Sequence, residues 1–95
     1  MTGEARRAWE LAKTARRLLE LGGWRVSRGV GVSASGSAYV RAVKRGRRLL
    51  VRVSDHDPPG TLDREGRELV CVSWLQRHPL RVLALYMRWE VKRDA

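Results

Sequence analysis

Across residues 3–21 the apolar residues Ala8, Leu11, Ala12, Ala15, Leu18 and Leu19 recur at helical spacing, with Arg6, Glu10, Lys13, Thr14 and Arg17 on the other side. A 3.6-residue period of this kind predicts an amphipathic helix. Thr2 suits its N-cap, Glu4 its first turn, and Gly22-Gly23 its C-terminal stop. Trp9, one turn from Lys13, reads as a ring covering the edge of the core with a cation–π contact; stacking on a nucleic-acid base is the alternative.

After Gly23 the period changes to two. Residues 24–28 alternate as a short, half-buried strand with Trp24 and Val26 inward, and Gly29, Gly31, Ser33, Ala34, Ser35 and Gly36 then form a loop or irregular edge. Residues 38–43 and 49–53 alternate again around a Lys44-Arg45-Gly46-Arg47 turn, which predicts a β-hairpin. Residues 55–66, with Asp57, Pro58, Pro59, Gly60, Asp63 and Gly66, read as a turn-rich linker that breaks any continuous element. Residues 67–73 are a fourth strand. Pro79 fits the first position of a last helix whose core stripe is Leu80, Leu83, Ala84 and Met87. Residues 83–91 also alternate as a strand would, but their Leu, Ala, Met, Arg and Glu content favours helix.

The expected fold is therefore α+β, in the order α-β-β-β-β-α, with an antiparallel sheet and two helices packed on one face. Its core should hold Leu18, Trp24, Val26, Val40, Val51, Val53 and Leu83. The chain of 95 residues makes one domain, 1–95, and its 43% apolar content supports a single modest core.

Charge adds the strongest functional signal. The net charge is +10, and between Leu21 and Ser54 there are eight basic residues (Arg25, Arg28, Arg41, Lys44, Arg45, Arg47, Arg48 and Arg52) and no acid. The next stretch, from Asp55 to His78, carries five acids against three arginines, so positive charge is segregated. Such segregation favours a polyanionic partner. The longest apolar run, residues 82–87, is too short to span a bilayer, and the N-terminus lacks an apolar signal core. The single Cys71, in an apolar run, excludes an internal disulfide and suits a reducing, cytoplasmic setting.

Candidate chemistry gathers at the hairpin. Arg28, Arg41, Lys44, Arg45, Arg47, Arg48 and Arg52 are candidate phosphate contacts, with Ser35, Ser37, Tyr39 and His56 as polar or stacking partners at the hairpin ends. Asp55 and His56 are adjacent, which makes mutual acid–base service awkward; Asp55 reads as a turn cap and His56 as a backbone donor. No serine can be given a base and an orienting acid, no phosphate-binding glycine motif is present, and no metal-ligand spacing stands out. Neither a catalytic centre nor a cofactor is expected.

Two resemblances follow from these residues. The order helix, Gly-Trp, strand, Gly-Ser, strand, turn, strand, then Pro59-Gly60-Thr61-Leu62, resembles the HicA-type small toxins, whose fold is like that of double-stranded-RNA-binding domains. It covers about residues 8–62. In that family a histidine directly after the Gly-Ser pair carries ribonuclease activity, whereas Gly36-Ser37 is followed by Ala38. The resemblance thus implies an RNA-binding fold without the catalytic histidine. Ser35-x-Ser37-x-Tyr39-Val40 with Val51-Arg52-Val53-Ser54-Asp55-His56 also resembles small phage and plasmid proteins, which implies a mobile-element origin.

The expectation from these observations is a small, basic protein directed at the RNA or DNA backbone, non-catalytic rather than an enzyme. The alternatives are an inhibitor or adaptor acting on a host nucleic-acid-handling complex and, third, a HicA-like ribonuclease. The apolar surplus of the last helix, with Leu85, Tyr86 and Trp89, is expected to form a partner interface, a homodimer first.

Overall fold

The computed structural model describes residues 3–27, 30–33, 36–55, 59–64 and 67–94. Two helices and six strands follow in the order α1 (Gly3–Leu21), β1 (Arg25–Val26), β2 (Gly31–Val32), β3 (Ala38–Lys44), β4 (Arg47–Ser54), β5 (Gly60–Arg64), β6 (Arg67–Ser73) and α2 (Arg81–Asp94). The fold is α+β with a helix at each end. The proposed N-cap Thr2 lies outside the described residues.

Helix α1 stops where the glycines allow it. Trp24 N–H donates to Leu19 O (2.9 Å) and Gly23 N–H to Glu20 O (3.1 Å), with Gly23 at φ +88°, the bonding pattern of a left-handed C-terminal cap. The cap places Trp24, 3% exposed, under the same helix end as the fully buried Leu19. Along α1 the buried line is Ala5, Ala8, Ala12, Ala15 and Leu19, and its four alanines are small enough to let the helix lie close on β3 and β4. At the helix border Lys13 Nζ sits 3.9 Å from the centre of the Trp9 ring, the cation–π contact expected there.

The hairpin is longer than the periodicity predicts. Pairing runs from Ala38↔Val53 to Lys44↔Arg47, leaving only Arg45-Gly46 in the turn. Both have positive φ, 50° and 78°, as a two-residue type I′ turn requires. β1 and β2 lie in succession along the other side of β3, with Ser27 N–H donating to Arg41 O between them.

Two departures from the expected sheet concern its other half. Residues 60–64, read as part of a linker, form β5, which pairs antiparallel with β6 through Gly60↔Cys71 to Arg64↔Arg67. The sheet is also mixed rather than antiparallel: its order is β1-β3-β4-β6-β5, and β6 runs parallel to β4. Leu69-Val70-Cys71-Val72 can be buried on both faces, so it takes the inner position, and the more polar β5 is displaced to the edge. Once β5 has crossed to the edge and turned back, β6 must enter parallel to β4.

Ala38, Val40, Ala42, Leu49, Val51, Val53, Val70 and Val72 point to the helix side and form one core with α1, Trp24, Leu83 and Tyr86. Each fully buried Val or Leu contributes about 1.5–3 kcal/mol. Both helices pack on this face. Leu18 and Val26 are only partly buried, and in α2 the inward line is Leu83, Tyr86 and Glu90, with Ala84 exposed rather than in the core stripe. Among the described residues no helix is long and apolar enough to cross a membrane.

Candidate nucleic-acid interface

Because residues paired across strands share a face, the register fixes what the other side of the sheet presents. No described helix packs there. Its first row is Arg25, Val43, Arg48 and Arg67, from β1, β3, β4 and β6. The next is Arg41, Leu50 and Leu69, and the third Tyr39, Arg52 and Cys71. Ser54 and Ser73 pair beyond them and are buried. Arg25, Arg41, Arg48 and Arg67 are exposed, while Tyr39, Leu50, Arg52 and Leu69 are half-buried between them. The Arg52 guanidinium lies over the Tyr39 ring at 5.8 Å. Among the described side chains on this face none is acidic.

At one corner the basic row meets the hairpin tip. Exposed Arg45 and Gly46 join Arg25, Val43, Lys44, Gly22 and Gly23 around an open concavity of about 600 Å³. The exposed cations thus form a continuous surface from the tip across four hydrogen-bonded strands.

Lys44 and Arg47, two of the predicted phosphate contacts, direct their charged ends away from that surface, although Lys44 also lines the wall of the concavity at the tip. They continue the inward phase of β3 and β4 and close the end of the core. Lys44 Nζ donates to Glu90 Oε1 (2.6 Å) and to Gly22 O (3.0 Å). Arg47 Nη2 donates to Glu68 Oε1 (2.9 Å), Glu68 Oε2 (3.2 Å) and Tyr86 Oη (3.1 Å), and its Nε to Glu68 Oε1 (3.2 Å). Glu90 is 1% exposed and Glu68 9%. Tyr86 donates to Glu68 Oε2, and Trp24 flanks the cluster, its ring 5.7 Å from the Arg47 guanidinium. Burial, followed by the hydrogen bond to Glu68 and that carboxylate's charge, pushes the Tyr86 phenol well above its ordinary value; Arg47 opposes this more weakly. The two carboxylates offset Lys44 and Arg47, with the exposed Arg93 at the margin 3.9 Å from Glu68, so the buried part of the cluster offers little charge to a ligand.

Of the remaining candidates, Ser37 is 1% exposed and its Oγ lies within the protein, which withdraws it as a phosphate donor. Arg28, Ser35 and His56 lie outside the described residues. Asp55 is half-buried at the end of β4. Tyr86, placed in the expected partner interface, is buried in the cluster above; Leu85 and Trp89 are 53% and 47% exposed. Among the described residues no group of three or more His, Cys, Asp or Glu side chains could hold a metal ion.

Two residues of the basic surface were not singled out by sequence reasoning. Arg25 was counted in the cationic stretch without a site role, and its alternation with inward Trp24 and Val26 was the signal. Arg67 sits in a locally acidic segment and joins the surface only through its parallel pairing with Arg48. Compared with family models, with curated proteins and with solved structures, the chain finds no match.

Proposed function

We propose that the protein binds nucleic acid by its phosphate backbone across the sheet face away from the described helices, without catalysis. The observation that carries this reading is the alignment of Arg25, Arg41, Arg48 and Arg67 on one face with no acidic side chain among its described residues, continued at the tip by Arg45. Guanidinium groups make paired hydrogen bonds to phosphate oxygens and keep their charge at any physiological pH. The half-buried Tyr39, Leu50 and Leu69 between them give flat contact surface for sugars or an unstacked base. Nothing in the arrangement reads a base edge, so binding tolerates sequence. Double-stranded RNA is the first ligand to try, on the resemblance of the sequence to the HicA-type toxins alone. Ala38 stands where the resembling toxins carry their histidine and supplies no base, so bound RNA is expected to stay intact.

Equilibrium binding to a short labelled RNA duplex tests the reading. Arg41→Glu/Arg48→Glu should weaken binding by about a hundredfold or more, since each reversal removes a contact and adds repulsion. Lys44→Met/Glu90→Leu should leave it within about twofold. Unchanged binding in the first variant, or no binding to RNA or DNA at low salt, would overturn the proposal.

A further inference from the structure

On the other face of the sheet, a groove runs between the edge strand and the last helix. β5 is the outermost strand, and no described strand pairs with its outer side. An open strand edge presents peptide N–H and C=O groups ready for another chain. Beside it, Thr61 of β5 and Val82, Leu85, Tyr86 and Trp89 of α2 line a cleft of about 350 Å³ that is apolar almost throughout. A second cleft of about 360 Å³ shares Val82 and Leu85 and continues to Pro59, Arg77, His78 and Arg81. The two make one groove with an apolar end and a basic end. Trp89 is held in place rather than loose: its ring lies 5.8 Å from Tyr86, and the Arg93 guanidinium is 5.2 Å above it.

We propose that this groove docks an extended peptide of a partner protein, which adds to β5 as a further strand, seats one large apolar side chain between Leu85 and Trp89, and directs an acidic side chain to Arg77 and Arg81. The open edge argues for an extended peptide over a helix, because main-chain bonds to β5 supply affinity while alternate side chains supply specificity. Charge argues for an acidic one. Among the described side chains of α2 the exposed ones are Arg81, Ala84, Leu85, Arg88, Trp89, Val91, Lys92 and Arg93, and Glu90 is engaged by Lys44 inside the core. A second copy of the chain is the poorer occupant, since antiparallel two-fold pairing of α2 centred near Leu85 would bring Arg81 of each copy towards Arg88 of the other, like charge to like. Nucleic acid suits the opposite face, where the cations are not centred on an apolar cleft.

The test uses the full chain and blocked synthetic peptides of Thr and Val, each carrying one central Leu, Phe or Trp and a Glu on one side, followed by Trp fluorescence and by amide NMR. At least one peptide should bind, with chemical shifts and slowed hydrogen exchange at the amides of residues 60–64. Binding should fall about tenfold or more in Leu85→Glu and in Trp89→Glu, and on replacing the peptide Glu by Lys or placing Pro beside the apolar residue. Both protein positions are about half exposed, so the thermal midpoint should hold, and Arg41→Glu/Arg48→Glu should bind peptide as the parent does. Absence of binding at millimolar peptide, binding indifferent to Leu85→Glu, or a doubled molecular mass that Leu85→Glu abolishes would each overturn the proposal, the last in favour of a homodimer.

Discussion

Lys44 separates the two ways of reading the cationic hairpin, as a free phosphate contact or as the inner partner of Glu90. In the structure its ammonium is 2.6 Å from a carboxylate that is 1% exposed, and its own side chain is only 17% exposed. Glu90→Ala therefore leaves a largely buried ammonium with the Gly22 carbonyl as its hydrogen-bond acceptor, the Trp24 ring 5.9 Å away, and no described carboxylate against it. Breaking one side of such a pair costs about 3–5 kcal/mol. For a domain of this size, each kcal/mol shifts the thermal midpoint by roughly 4–8 °C, so a fall of at least about 12 °C is expected. Replacing both partners, Lys44→Met/Glu90→Leu, removes the charges together and should restore stability to within about 1–2 kcal/mol of the parent, because apolar replacements of a buried pair are often neutral. Circular dichroism melts and urea titrations of Glu90→Ala, and of Lys44→Met, Glu90→Leu and the double variant as a closed cycle, give the cost of the unpaired ammonium and the coupling energy. Glu90→Ala melting like the parent, or Lys44→Met weakening RNA binding as much as Arg48→Glu does, would refute the inward assignment.

Arg45 holds φ 50° in the hairpin turn, a conformation that costs a side-chain-bearing residue about 1–2 kcal/mol, so Arg45→Gly should raise the urea midpoint while lowering nucleic-acid affinity; a lowered midpoint would count against the turn geometry. Gly46→Ala, at φ 78°, should cost about 1 kcal/mol by the same measurement. Because the folded state holds the Tyr86 phenol above its unfolded value, its contribution is complete below pH 10 and is lost as pH rises beyond it. Tyr86→Phe should therefore show a smaller fall in stability between pH 9 and pH 11 than the parent; equal falls would place the phenol in solvent.

Much of the fold could be read from the chain because local periodicity decides it. Helix α1 has the bounds that its apolar stripe and Gly22-Gly23 set, and the last segment is a helix, as its composition favours over its alternation. The inward turn of Lys44 and Arg47 was present in the phase of Ala38-Val40-Ala42 and Leu49-Val51-Val53, but their charge argued for solvent. Only Glu68 and Glu90, distant in sequence, make the inward position tolerable. β5 was obscured by Pro59, Gly60 and Gly66 around a short run, and edge strands need little hydrophobic patterning. The parallel pairing of β4 and β6, and with it the place of Arg67, depends on a crossover that no local pattern encodes.

The most direct measurement of the central claim is the salt dependence of affinity for a labelled RNA duplex, followed by fluorescence anisotropy in the parent and in Arg25→Gln, Arg41→Gln, Arg48→Gln and Arg67→Gln. With Arg25, Arg41, Arg45, Arg48 and Arg67 as five phosphate contacts, the slope of log affinity against log salt should be about −4.5, a loss of about 500-fold between 50 and 200 mM. Each Gln variant should make the slope shallower by about one, whereas Lys44→Met/Glu90→Leu should keep it. A slope near zero, or one that the four open-face arginines leave unchanged, would contradict backbone binding on this face.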